Sequence, residues 1–239
     1  MRYIPNFITS LNLTSGFAAV IFAASGDAVT ASWLIMAAMI FDFLDGFSAR
    51  LLRAYSVIGK ELDSLADVVS FGVAPGIIIY NLLRNSFSAG SPGVINADAS
   101  NTLLIILLTA IMPVCAALRL AIFNVDETQS KSFKGLPTPA NAIAVISVVI
   151  SAHYSESGAV TYFSGSPVLL SMLTVVLSLL MISRIPLLFL KVSDLKFKGN
   201  EGRFIMIGLI LIAFAIFGIA SAPLIIPIYI ISSLLSLLF

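Results

Sequence analysis

The sequence predicts an all-α fold, a polytopic membrane helical bundle of about eight transmembrane helices, and three observations carry that prediction. Of the 239 residues, 59% are hydrophobic and only 10% are charged, against roughly 25% charged in a soluble domain. Apolar runs of about twenty residues recur along the chain, the length an α-helix needs to cross a bilayer while satisfying its own backbone. The short alternating apolar and polar segments that a membrane β-barrel requires are absent.

In chain order, the apolar segments cover residues 8–25, 29–52, 60–83, 102–124, 137–154, 166–190, 203–219 and 221–238. Gly26-Asp27 separates the first two, and a connection of under ten residues joins the second to the third. The polar stretches Arg84 to Asn101, Asp126 to Lys134, Glu156 to Pro167 and Lys191 to Gly202 separate most of the others. The last two segments are short and meet near Ala222-Pro223. Arg2 before an apolar run and Ala23-Ala24-Ser25-Gly26 after it resemble a signal peptide. One arginine is a weak leader and more spans follow at once, so the segment reads as an uncleaved first span. No internal repeat, low-complexity run or soluble segment divides the chain, which reads as one membrane domain over residues 1–239.

Basic residues set the orientation. With the N-terminus in the cytoplasm, the inner segments collect Arg2, Arg50, Arg53, Lys60, Arg119, Lys131, Lys134, Arg184, Lys191, Lys196, Lys198 and Arg203, and only Arg84 falls outside. Positively charged residues favour the cytoplasmic side, so the protein is expected in the cell membrane. The net charge of +1 identifies no partner, and no nucleic acid is expected. Cys115 stands alone in an apolar run and reads as a small buried hydrophobe. His153, beside Tyr154 at a helix end, reads as an interfacial side chain rather than a ligand.

One region breaks the apolar pattern. It runs Asp42-Phe-Leu-Asp45-Gly46-Phe-Ser-Ala49-Arg50 and, after eight residues, Gly59-Lys-Glu-Leu-Asp63-Ser-Leu-Ala-Asp67. An ionisable group at membrane depth costs on the order of 2.5–3.5 kcal/mol on insertion scales, so four carboxylates mark a site that binds something. At about 100° per residue, Asp42, Asp45, Gly46, Ala49 and Arg50 share a sector of about 140°. Gly59, Asp63 and Asp67 advance by only about 40° per step and share a face of the next helix. Both helices can aim carboxylates at one point near the cytoplasmic ends of spans two and three. Hard oxygen ligands without His or Cys suit Mg²⁺ or Mn²⁺ rather than Zn²⁺. Arg50 offers a fixed fork for phosphate, and Gly46 and Ala49 leave the helix surface bare. Together these residues describe metal-assisted phosphoryl transfer. A cation-coupled transporter would also place carboxylates in the membrane, but such proteins typically carry repeated halves and broken helices.

The pattern D-x-x-D-G-x-x-A-R, eight residues, G-x-x-x-D-x-x-x-D resembles the signature of the CDP-alcohol phosphotransferases, met here in every fixed position from Asp42 to Asp67. Further segments are similar to the bacterial and archaeal branch that makes phosphatidylserine. They are Ile4-Pro5-Asn6-Phe-Ile-Thr9 with Asn12-Leu-Thr-Ser-Gly16, Ser70-Phe-Gly-Val-Ala-Pro75, and Phe133-Lys-Gly-Leu-Pro-Thr-Pro139. Arg119-Leu-Ala-Ile-Phe-Asn124 resembles that branch's arginine-rich segment, but Ile122 stands where a second arginine is common.

The resemblance implies a homodimeric membrane enzyme that displaces CMP from CDP-diacylglycerol with the hydroxyl of L-serine. It implies that Asp42, Asp45, Asp63 and Asp67 hold Mg²⁺ or Mn²⁺ and that Asp67 is also the general base. Gly46, Ala49, Arg50, Ser56 and Gly59 would seat the CDP-lipid, with Pro5, Asn6 and Thr9 closing around it. Ser70, Arg119 and Lys134 would contact serine or phosphate, although Ser70 to Pro75 also has the composition of a small-residue helix contact and kink. Glycerol 3-phosphate or an inositol phosphate would be the alternative acceptor.

Overall fold

A computed structural model describes residues 3–89, 99–125, 133–188 and 200–236. Helices α1 (Tyr3–Ala24) and α2 (Ala28–Leu51) form a hairpin. Gly26 turns the chain at a φ of 93° that only glycine adopts cheaply, and the Asp27 carboxylate accepts the Thr30 N–H at 2.9 Å to cap α2. A tight turn with Arg53 at φ 49° leads into α3 (Val57–Asp67). Ser56 caps that helix by accepting the Gly59 N–H at 2.9 Å.

A π-helical turn over Val68–Val73 links α3 to α4 (Ala74–Ala89), so one long rod carries both the third and fourth carboxylates and the membrane segment. Gly72 explains how α5 (Ala99–Val125) crosses so close to this turn. A Cβ there would lie 2.9 Å from Ala116 Cβ and 3.3 Å from Pro113 Cα. The small-residue contact anticipated for Ser70 to Pro75 is therefore present.

Two-residue strands β1 (Phe133–Lys134) and β2 (Pro186–Leu187) pair antiparallel, Phe133 opposite Leu187. They bracket α6 (Thr138–Tyr154), α7 (Gly158–Gly165) and α8 (Pro167–Ile182), the last two meeting at 77°. Helix α9 (Glu201–Phe217) ends at Gly218, a 3₁₀ turn over Gly218–Leu224 follows, and α10 (Ile225–Leu235) doubles back. A Cβ on Gly202 would sit 2.7 Å from Ser236 Cβ, so the start of α9 lies beside the end of α10.

The all-helical membrane bundle is as expected, while length and composition do not confirm the count of eight spans. Among the described residues five stretches are long and apolar enough to cross a membrane, or six if α7 and α8 count as one bent span. The expected span 137–154 is a 17-residue helix, and 166–190 stops as a helix at Ile182. The expected spans 203–219 and 221–238 are the two short arms of the α9–α10 hairpin. Buried Ile35, Phe71, Ile78, Met112, Val145, Leu170 and Met181 pack among small residues such as Ala19, Ala31, Ala74 and Ala116, which let membrane helices approach closely. Leu103, Leu104, Leu107, Ile111, Val114 and Leu118 form an exposed apolar face along α5, a surface suited to lipid. Cys115 is buried in the core, and exposed His153 makes an edge contact with Tyr154, ring centroids 4.6 Å apart.

Candidate functional site

The α1–α2 hairpin and α3 bring the sequence motif to one end of the bundle. Ligand oxygens of Asp42, Asp63 and Asp67 lie within 4.8 Å of one another, and the Asp42 and Asp63 carboxyl groups are close enough to share a hydrogen bond. Asp45 is buried alongside them with Thr9 facing it, outside the tight group of three. Asp45 Oδ2 and Asp63 Oδ1 are buried without a hydrogen-bond partner. Buried acceptors left unpaired are costly, and four carboxylates crowded together repel one another. A hard divalent cation answers both problems with the oxygen donors it prefers. The donor set therefore fits a hard divalent cation, which Asp42, Asp63 and Asp67 are placed to hold, with Asp45 beside them.

Two clefts open from this cluster. The larger, of about 480 Å³, is lined by Pro5, Asn6, Asp45, Gly46, Ala49, Arg50, Ser56, Gly59, Lys60 and Asp63, with Ala54, Tyr55 and Phe123. Every residue expected to seat a CDP-lipid is on this wall except Thr9, whose hydroxyl donates to the Pro5 carbonyl at 3.0 Å. A Cβ on Gly46 would meet no atom within 4 Å, so that glycine opens space into the cleft. Gly59 is different: a Cβ there would press Asn6 Oδ1 and Ser56 Oγ, both at 2.9 Å. Arg50 Nε donates to the Gly46 carbonyl at 2.9 Å, which steadies an otherwise exposed guanidinium.

The second cleft, of about 230 Å³, is lined by Lys60, Asp63, Ser64, Asp67, Arg119, Asn124 and Thr138, with Leu120, Phe123, Pro137 and Pro139. Lys60, Asp63 and Phe123 belong to both walls. Lys60 Nζ donates to the Asn124 carbonyl at 3.0 Å and Asn124 Nδ2 donates to Ser64 Oγ at 2.9 Å, pinning the end of α5 to α3. Arg119 is buried within electrostatic reach of Asp67. Thr138 Oγ1 is buried and unpartnered at this wall.

Ser70 is not in either cleft. It is fully buried and its hydroxyl donates to Asn12 Oδ1 at 2.8 Å. The expected contact at Lys134 falls on a side chain outside the described residues.

The family model for CDP-alcohol phosphatidyltransferases matches residues 2–182. The chain belongs to this family. Among curated CDP-alcohol phosphatidyltransferases, it is 36% identical over 176 residues to the CDP-diacylglycerol–serine O-phosphatidyltransferase of Helicobacter pylori strain J99, covering 72% of this chain and 68% of that one. It is 32% identical over 185 residues to the Bacillus subtilis protein of the same name, covering 77% and 89%. It is 34% identical over 158 residues to the archaetidylserine synthase of Methanothermobacter thermautotrophicus, covering 65% and 61%. The family match ends at the last residue of α8, so the α9–α10 hairpin lies beyond it.

Sequence reading assigned no role to Asn12, Lys60, Ser64, Asn124 or Thr138. Asn12 carried a usable signal, because a polar amide inside an apolar span is rare unless it bonds something. The others are ordinary helix-end residues whose convergence needs the fold.

Proposed function

We propose that the chain transfers the phosphatidyl group of CDP-diacylglycerol to the hydroxyl of L-serine, releasing CMP and phosphatidylserine. The observation that carries this reading is the pair of clefts meeting at Asp63, one suited to the donor and one to a small acceptor. The CDP group lies in the larger cleft, where bare Gly46 and Ala49 admit it and the Arg50 fork pairs with phosphate. Serine enters the smaller cleft, its carboxylate drawn to Arg119 and its hydroxyl toward Asp67.

The serine oxygen attacks the phosphatidyl phosphorus, a new O–P bond forms, and the bond from that phosphorus to the CMP oxygen breaks. Asp67 takes the hydroxyl proton. A bound Mg²⁺ or Mn²⁺ would neutralise charge on the diphosphate and on departing CMP. Phe123, Leu120, Pro137 and Pro139 give the smaller cleft an apolar side. The diacylglycerol tails reach the site from lipid while serine and CMP exchange with the cytoplasm. The basic residues expected inside support a cytoplasmic-facing site in the cell membrane, and a homodimer is the assembly we propose.

Serine is favoured over glycerol 3-phosphate or an inositol phosphate because a phosphorylated acceptor needs further cations. The described wall of the smaller cleft supplies Lys60, already donating to a carbonyl, and Arg119. The test is CMP release by purified protein with CDP-diacylglycerol and Mn²⁺ or Mg²⁺. Release is expected with serine and not with the phosphorylated acceptors. Release only with a phosphorylated acceptor would refute the serine assignment.

A further inference from the structure

We propose that Asn12 is a positioning residue for Asp67, with its amide locked by Ser70 so that one carboxylate oxygen is held and the other turned to the cluster. This rests on the functional reading above and adds residues that act on the site from behind.

Asn12 lies in the middle of α1 and is fully buried. A primary amide in an apolar interior must be satisfied at both ends, and here it is. Its Nδ2 donates to Asp67 Oδ1 at 3.3 Å and its Oδ1 accepts from Ser70 Oγ at 2.8 Å. The Ser70 hydroxyl also lies 3.2 Å from the Asn12 carbonyl oxygen, so both oxygens of Asn12 face that donor. A flipped amide would set its oxygen against the carboxylate and its NH₂ against the hydroxyl hydrogen. The serine therefore selects the rotamer in which a donor faces Asp67.

The backbone is arranged to bring these groups together. Ser70 stands three residues after Asp67 inside the π-helical turn, a local widening found often at functional sites. Asn141 Nδ2 donates to the Phe71 carbonyl of that turn at 3.0 Å. On α1, one turn beyond Asn12, Gly16 leaves room for the approach. A Cβ there would overlap Ser70 Oγ and lie 2.9 Å from Ser70 Cα. Partners behind a metal-binding or catalytic carboxylate typically change metal affinity or activity by about 10–100-fold when removed.

The test compares Ser70→Ala, Asn12→Ala and the double variant with wild type in detergent. Three readouts are taken: melting temperature without metal, the Mn²⁺ midpoint from metal-induced thermal shift, and kcat and KM for CDP-diacylglycerol with serine. Ser70→Ala removes one oxygen, leaves Asn12 in place with its Oδ1 short of a donor, and is expected to fold but melt a few degrees below wild type. The Mn²⁺ midpoint should rise and kcat should fall by about tenfold or more in both single variants, with KM for CDP-diacylglycerol unchanged. The double variant should match Asn12→Ala, because the serine acts only through the amide. Wild-type Mn²⁺ midpoint in Ser70→Ala would overturn the lock. A raised KM for CDP-diacylglycerol with kcat unchanged would overturn it as well, by making the network merely structural. The Mn²⁺ titration needs no turnover, so it decides this inference separately from the choice of serine as acceptor.

Discussion

Gly46→Ala separates what the helix wants from what the substrate needs. Gly46 sits inside α2, where alanine is a better helix former by about 0.8–1.0 kcal/mol. Its added Cβ would meet no atom within 4 Å, so no packing cost offsets that gain. For a chain of this length, about 1 kcal/mol corresponds to roughly 2–4 °C in melting temperature. The same methyl protrudes into the cleft shared with Ala49 and Arg50, where a bound CDP group would lie against the bare backbone. Losing one close contact there should raise KM for CDP-diacylglycerol about tenfold, equivalent to about 1.4 kcal/mol. The assay pairs a thermal melt in detergent with initial-rate CMP release across CDP-diacylglycerol concentrations. A more stable protein with a poorer KM is the expected result. A variant that is stabilised with wild-type KM would refute the assignment of this cleft to the CDP group.

Gly59→Ala should do the opposite to stability, because its Cβ presses Ser56 Oγ and Asn6 Oδ1. Disturbing the α3 cap costs about 1 kcal/mol, read as a lower melting temperature with weaker CDP-lipid binding. Asp67→Asn is expected to abolish turnover while CDP-diacylglycerol binding, measured directly, stays within a few-fold of wild type; retained turnover would sink the base assignment. Arg50→Lys should raise the CDP-lipid dissociation constant because the planar fork is lost, and unchanged affinity would refute that role. Away from the site, hydrogen bonds from Thr30 hold the Asp27 carboxyl below the usual carboxylate range. A depressed carboxyl contributes stability at neutral pH that is lost as pH falls through its folded value, below about pH 4. Asp27→Asn keeps the cap and should flatten that acid limb in melting temperature against pH; an unchanged slope would contradict it.

The carboxylate cluster was legible in the sequence because its geometry is local. Asp42 to Arg50 spans little more than two helical turns, and the helical period alone puts those residues on one face. The short, capped connection at Ser56 then returns α3 against α1, which already pairs with α2. Asn12 and Ser70 are 58 residues apart, and no period relates them. Their pairing depends on Gly16 and on a π-helical turn over Val68–Val73, where the sequence marked only a small-residue contact and kink. The smaller cleft was hidden for the same reason, since α3, α5 and the start of α6 meet only in the fold. Length and composition leave the eight spans unconfirmed because α6 and both arms of the α9–α10 hairpin are short. Hydropathy is also blind to strand β2, where the helix of the expected sixth span has already ended.

The central claim is direct transfer between two adjoining clefts, and it is tested most directly by isotope exchange without acceptor. Purified protein is incubated with unlabelled CDP-diacylglycerol, labelled CMP and Mn²⁺, with and without serine. Attack by the serine hydroxyl itself leaves no phosphatidyl-enzyme for CMP to reverse, so no label should enter CDP-diacylglycerol until serine is added. Label entering the lipid in the absence of serine would show a covalent phosphatidyl-enzyme and contradict the account.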